Sequence, residues 1–129
     1  MVLYCCGDLL WASKIKATGE ALGVACRPVR NAEMLAARLA DSPARAVALD
    51  LTSEHCWALM DLLRGAAATD QTRALKVLCF GPHGDVDALR KAGEMGANAV
   101  MSFGQLSGSL PEVLKSLDAS ATTESSSDE

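Results

Sequence analysis

Asp50 closes the run Ala46-Val47-Ala48-Leu49-Asp50, an apolar segment that ends on a carboxylate. Such a group can accept a phosphoryl group, hold a divalent cation, or cap the helix that follows. Two more apolar runs end on polar or glycine-rich groups. Val2-Leu3-Tyr4-Cys5-Cys6 leads into Gly7-Asp8, and residues 75–80 lead into Gly81-Pro82-His83-Gly84. Cys6 beside Asp50, with His83 or His55 near, would suit a thiol nucleophile or a metal site. The 81–84 loop lacks the length and the lysine of a P-loop. No G-x-G-x-x-G follows the first run, so a dinucleotide has no cradle.

The remaining thiols point away from disulfide or zinc chemistry. Cys5, Cys6, Cys26, Cys56 and Cys79 are odd in number and contain no C-x-x-C pair. That usage reads as reduced, buried thiols, without the paired ligand spacing of a zinc site. Neighbouring Cys5 and Cys6 should point to opposite faces of one strand.

The elements that must position these groups follow from periodicity. Short apolar runs at 2–6, 46–50 and 75–80 read as strands buried on both faces. Residues 24–29 are a weaker strand, where Pro28 favours an edge, and 99–101 a short fifth one. Between them the apolar period becomes helical. Trp11, Ile15, Thr18 and Leu22 mark a first helix capped by Asp8 and ended by Gly23. Asn31 caps a second, closed by Ser42-Pro43. Ser53 is the expected cap of a third, carrying Cys56, Leu59, Met60 and Leu63, with Trp57 off that stripe and partly exposed. Asp85 caps a fourth, ended by Gly96, and Ser109 with Pro111 opens a last one to about Leu117. Residues 65–74 read as a linker. Strands alternating with helices call for an α/β three-layer sandwich: a five-stranded parallel sheet with helices on both faces.

Composition narrows the function classes. The chain has 129 residues, 50% of them hydrophobic and 22% charged, which suits one domain with one packed core. Residues 1–117 carry 12 acidic and 12 basic side chains; the net −4 comes from Asp118, Glu124, Asp128 and Glu129. A neutral body offers no basic stripe, so no nucleic acid is expected as a partner. No apolar run approaches the ~18 residues of a membrane span, and no secretory leader is evident at Met1-Val2-Leu3-Tyr4. A cytoplasmic location is expected, with a domain over 1–117 and a disordered, acidic, Ser/Thr-rich tail over 118–129.

In an open parallel sheet, ligands meet the C-terminal ends of the strands. Cys6, Gly7, Asp8, Asp50, Thr52, Gly81, Pro82, His83, Ser102, Phe103 and Gly104 fall there. With this order and spacing, residues 2–117 resemble the receiver domain of bacterial two-component response regulators. Ala46-Val47-Ala48-Leu49-Asp50-Leu51 looks like the run that carries the phosphoacceptor aspartate. Gly93-Glu94-Met95-Gly96-Ala97-Asn98-Ala99 is similar to the family's approach to its fifth strand. The resemblance implies a flavodoxin-like (CheY-like) sheet in the order 2-1-3-4-5.

It also implies a site, and most of that site is missing. The phosphoacceptor position is Asp50. The acidic pair that holds Mg²⁺ falls on Cys6 and Gly7, with only Asp8 acidic next to them. The hydroxyl position falls on Gly81, the lysine on Phe103, and the aromatic switch on Val100. Each absent charge-stabilising group would cost roughly 3 kcal/mol of barrier to phosphoryl transfer, about a hundredfold.

The expectation is a stand-alone pseudo-receiver, not an enzyme, that signals by protein–protein contact without a metal or cofactor. The resemblance places its interaction face at Arg90, Lys91, Val100, Met101, Phe103 and Gln105, with a possible homodimer there. One alternative is a phosphoaccepting regulator in which Asp8 and Asp50 hold Mg²⁺. Another is a small-molecule or thiol-redox module built on Cys6 and the His83 loop.

Overall fold

The computed structural model describes residues 1–119, and they form five strands and seven helices. The strands are β1 (Val2–Cys5), β2 (Cys26–Pro28), β3 (Ala46–Asp50), β4 (Lys76–Gly81) and β5 (Ala99–Ser102). All pair in parallel, in the order β2-β1-β3-β4-β5. The helices are α1 (Leu9–Leu22), α2 (Ala32–Asp41), α3 (Cys56–Arg64), α4 (Asp70–Arg73), α5 (Val86–Glu94), α6 (Phe103–Ser107) and α7 (Leu110–Asp118).

Alternation along the strands splits the core in two. Leu3, Cys5, Val47, Leu49, Val77 and Cys79 face α2, α3 and α5, where Leu35, Leu59, Met60, Leu63 and Ala92 meet them. Val2, Tyr4, Ala46, Ala48, Leu78 and Phe80 face the other way, onto Trp11, Ile15, Leu106, Leu110 and Leu114. Cys5 and Cys6 divide between the two sides as their pleat requires. With both faces covered, β1, β3 and most of β4 are buried throughout, and hence read as continuous apolar runs.

Most caps are those expected. Asp8 accepts from the Leu10 N–H at 2.8 Å, Asn31 from Met34 at 2.8 Å and Asp85 from Ala88 at 3.2 Å. Gly23 ends α1 at φ +75° and Gly96 turns toward β5 at φ +109°, conformations that glycine adopts without a Cβ penalty.

Several details differ from the sequence reading. Ser53 does not cap α3: His55 stands at that position with no side-chain bond, and Ser53 Oγ instead accepts the His55 N–H at 3.2 Å. A turn at 51–55 thus precedes the helix and brings chain close to β1. The stretch 65–74 contains α4, held by a Thr69–Thr72 capping box. A second capping box, Ser102–Gln105, starts α6 directly after β5. Ser109 makes no cap for α7; its hydroxyl donates to the Gln105 carbonyl at 2.8 Å. Asp118 is the last residue of α7, and its Oδ1 lies 2.6 Å from the Met1 ammonium. Of the acidic tail expected over 118–129, residues 120–129 lie outside the described residues. Among the described residues, no helix is long and apolar enough to cross a membrane.

Candidate functional site

The C-terminal ends of β1 and β3 bring Asp50 and Gly7 together. Asp50 ends β3 and is completely buried. Its Oδ1 accepts from the Thr52 N–H at 2.9 Å and the Thr52 hydroxyl at 2.7 Å, and its Oδ2 from the Gly7 N–H at 3.0 Å. The bonds to Thr52 follow directly from the turn after β3, since an Asp side chain readily binds backbone two residues ahead. The bond to Gly7 joins two loops. Both carboxylate oxygens therefore have protein donors, which satisfies a buried anionic group without a cation.

Gly7 is fixed by close approach. A Cβ there would stand 3.1 Å from Ser53 Cα, 3.2 Å from Ser53 N and 3.3 Å from the Thr52 carbonyl oxygen. The 51–53 turn thus fills the space where the resemblance expects an acidic side chain. Gly81 has a similar neighbour, because its Cβ would lie 3.3 Å from Leu51 Cβ. The Leu51 side chain takes the space beside the position at which a hydroxyl would stand.

Phe103, where the resemblance expects a lysine, belongs to an aromatic cluster. Its ring stacks on Trp11 with centroids 5.4 Å apart, and meets Phe80 edge-on at 5.9 Å. Trp11 and Phe80 are 5.3 Å apart. The three rings bury much of their area between α1, β4 and α6, in arrangements that aromatic quadrupoles favour. Phe103 is half-buried and packs with the α1 and α7 side of the core.

Mg²⁺ requires near-octahedral oxygen coordination, normally with one or two carboxylates free to bind. Here Asp50 is engaged by three donors, Asp8 caps α1, and Cys6 and Gly7 contribute no carboxylate. No cluster of three or more His, Cys, Asp or Glu side chains suited to a metal exists among the described residues. The donor set does not fit the ion.

Cys6 is also poorly placed for nucleophilic chemistry. Burial, and after it the Asp50, Cys5 and Asp8 charges, push its thiol far above the ordinary range, so the thiolate is disfavoured. It lines an open groove of about 510 Å³ with Cys5, Gly7, Val29, Arg30, Thr52, Ser53, Glu54 and His55. His83 is not among the groove's residues. It stands exposed in the loop after β4, so Cys6 and His83 do not share this cavity. His55 does share it, with its Nε2 3.4 Å from Glu54.

The residues of the expected interaction face are largely engaged within the chain. Arg90 pairs with Asp87 at 2.9 Å and reaches Glu94 at 4.0 Å. The Lys91 ammonium lies 4.2 Å from the centre of the half-buried Trp57 ring, joining α5 to α3. Gln105 Oε1 accepts the Ser102 N–H at 2.9 Å. Val100 and Met101 are half-buried against opposite sides of the core.

What the sequence reading missed was the closure itself. The donors from Thr52 and Gly7 and the crowding of Gly7 by Ser53 depend on the path of the 51–55 turn. A hydroxyl two residues after Asp50 was the available signal.

Comparison with solved structures places this backbone among receiver domains. The receiver domain of NtrX from Brucella abortus superposes with a TM-score of 0.67 at 20% identity, over 80% of this chain and 85% of that one. The signal receiver domain of a signal transduction histidine kinase from Syntrophus aciditrophicus gives 0.69 at 18% identity, over 92% of each chain. The Francisella response regulator 1452 receiver domain gives 0.70 at 14% identity, over 90% of this chain and 93% of that one. No family model and no curated protein matches the sequence. The chain has the receiver fold, a likeness carried by the backbone.

Proposed function

We propose that this chain is a pseudo-receiver: a non-enzymatic binding module in signalling or regulation that works by protein contact without phosphoryl transfer. The observation that carries this reading is Asp50, wholly buried, with both oxygens accepting hydrogen bonds from Gly7 and Thr52. To be phosphorylated, the carboxylate would have to give up at least one donor and become exposed. It would then act without the charges that stabilise the transferring group, because Cys6, Gly7, Gly81 and Phe103 occupy their positions.

The receiver fold supports a role in signalling, since the solved receiver domains it resembles include one from a response regulator and one from a signal transduction histidine kinase. The test is incubation with acetyl phosphate and Mg²⁺ followed by intact mass measurement, alongside tryptophan fluorescence with beryllofluoride. The reading expects no phosphoryl adduct and no saturable response. Homodimerisation through α5, β5 and α7 is a separate proposal, checked by sedimentation at micromolar concentration with Phe103→Lys as comparison. Monomer throughout, with no change in the variant, would exclude it.

A further inference from the structure

A groove of about 430 Å³ opens at the end of the sheet opposite Asp50. Arg45 stands just before β3 and Lys76 opens β4, whereas Asp50 closes β3, roughly 15 Å along the strand. The floor is apolar: Leu39 is 8% exposed and Leu75 7%, with Ala44 and Ala74 beside them. Arg45 and Lys76 are the charged residues of its lining, and among the described residues no carboxylate lines it. Two other grooves differ in this respect, since Glu54 lines one and Asp41 the other.

Ala119, the last described residue, is itself part of this lining. Helix α7 ends at Asp118, and Ala119 continues extended at φ −71° and ψ 142°. The Lys76 ammonium donates to the Ser116 carbonyl at 2.8 Å and to the Ala119 carbonyl at 3.2 Å. Arg45 Nη1 donates to the Asp118 carbonyl at 2.8 Å. The chain therefore leaves α7 fastened to both cations of the groove. The Asp118 carboxylate is engaged by the Met1 ammonium at 2.6 Å, and Arg45 pairs with no carboxylate among the described residues.

Residues 120–129 continue from this point. They carry three carboxylates, Glu124, Asp128 and Glu129, and no cation, so their charge is the complement of the groove's. Ser120, Ala121, Thr122 and Thr123 come first, all small enough to lie over a shallow apolar floor. Five extended residues reach at most about 17 Å, which lets Glu124 return over Arg45, a side chain already bonded at residue 118. A segment tethered at the groove's edge is present there at an effective concentration on the order of millimolar, so weak contacts are enough to seat it. We propose that residues 120–129 dock in this groove, with the small side chains on Leu39 and Leu75 and Glu124 paired with Arg45. The acidic segment is then a strap held to the domain by charge, and the groove is closed to other acidic peptides while the strap is in place. This docking lies apart from the Asp50 site and does not depend on how that site is read.

The test compares the full ¹⁵N-labelled chain with the same chain carrying Glu124→Lys, Asp128→Lys and Glu129→Lys, all beyond α7. In the native chain the amides of residues 120–126 should give positive heteronuclear NOEs, which fall to zero or below in the variant. Amide shifts between the two chains should concentrate at residues 42–45 and 71–76. Arg45→Glu alone should also release the segment. Arg45→Glu combined with Glu124→Lys should restore the NOEs, a rescue that mere damage to the fold would not give. The native result should persist on about tenfold dilution, because the docking is intramolecular. NOEs near zero in the native chain, shifts absent from the groove or centred elsewhere, or failure of the rescue would each overturn the proposal. Loss of the NOEs on dilution would overturn it in favour of the same segment from a second copy.

Discussion

Phe103 stacks on Trp11, with ring centroids 5.4 Å apart and planes inclined by 26°. Where the resemblance expects a lysine, the phenyl ring instead packs against Trp11 and Phe80. Removing the ring in Phe103→Ala should cost about 2 kcal/mol, below the full range for a completely buried aromatic because Phe103 is only half-buried. In a Trp57→Phe background the emission of Trp11 should shift to the red as water reaches its exposed face. Thermal unfolding and fluorescence check the two effects together.

Gly7→Ala should destabilise the chain by about 1–3 kcal/mol, because the added Cβ must displace the backbone of Thr52 and Ser53. The displacement also lengthens the Gly7 N–H bond to Asp50. Denaturant unfolding measures the loss, and Mg²⁺ affinity should not rise in Gly7→Asp, since the same contact excludes the larger side chain.

Asp50→Asn should lower stability by about 1–3 kcal/mol. Its amide NH₂ must face a donor, Gly7 or Thr52, leaving buried groups unsatisfied. Thr52→Val, which removes the hydroxyl donor alone, should have a smaller effect. In a chain where Asp50 serves only as a site for modification, Asn would be nearly neutral in unfolding experiments.

The buried thiols give a pH dependence with a definite sign. Burial is the main cause that pushes Cys56 up to about 11 and Cys79 up to about 12, from an ordinary value of 9.0. Between pH 9 and these values the unfolded chain releases protons that the folded chain keeps. The stabilisation is complete below pH 9 and is lost as pH rises through the folded values. Stability measured by denaturant should fall from about pH 9 upward, with a shallower slope in Cys79→Ala. Thiol titration at pH 8 should be slow in the native state at Cys56 and Cys79 and fast after unfolding.

The fold was legible because its strands are buried on both faces and its longer helices carry caps and apolar stripes. Asp8, Asn31 and Asp85 each mark a helix start that the structure keeps, and Gly23 and Gly96 mark stops. The short helices α4 and α6 escaped because four or five residues contain too little of an apolar period. Their capping boxes, Thr69 with Thr72 and Ser102 with Gln105, were the signal that remained. At the site, the resemblance implied which groups are absent: carboxylates at 6 and 7, a hydroxyl at 81 and a lysine at 103. It did not show what replaces them. The seating of Phe103 on Trp11, Leu51 beside Gly81 and the turn of Thr52 and Ser53 against Gly7 all arise from tertiary packing, which leaves no local pattern.

The most direct test of the account is intact mass of the full chain after acetyl phosphate with Mg²⁺, with Asp50→Asn in parallel. The account predicts unchanged mass in both, because Asp50 is buried and held by Gly7 and Thr52. A Mg²⁺-dependent phosphoryl adduct on the native chain, absent from Asp50→Asn, would contradict it and make this molecule a phosphorylated switch.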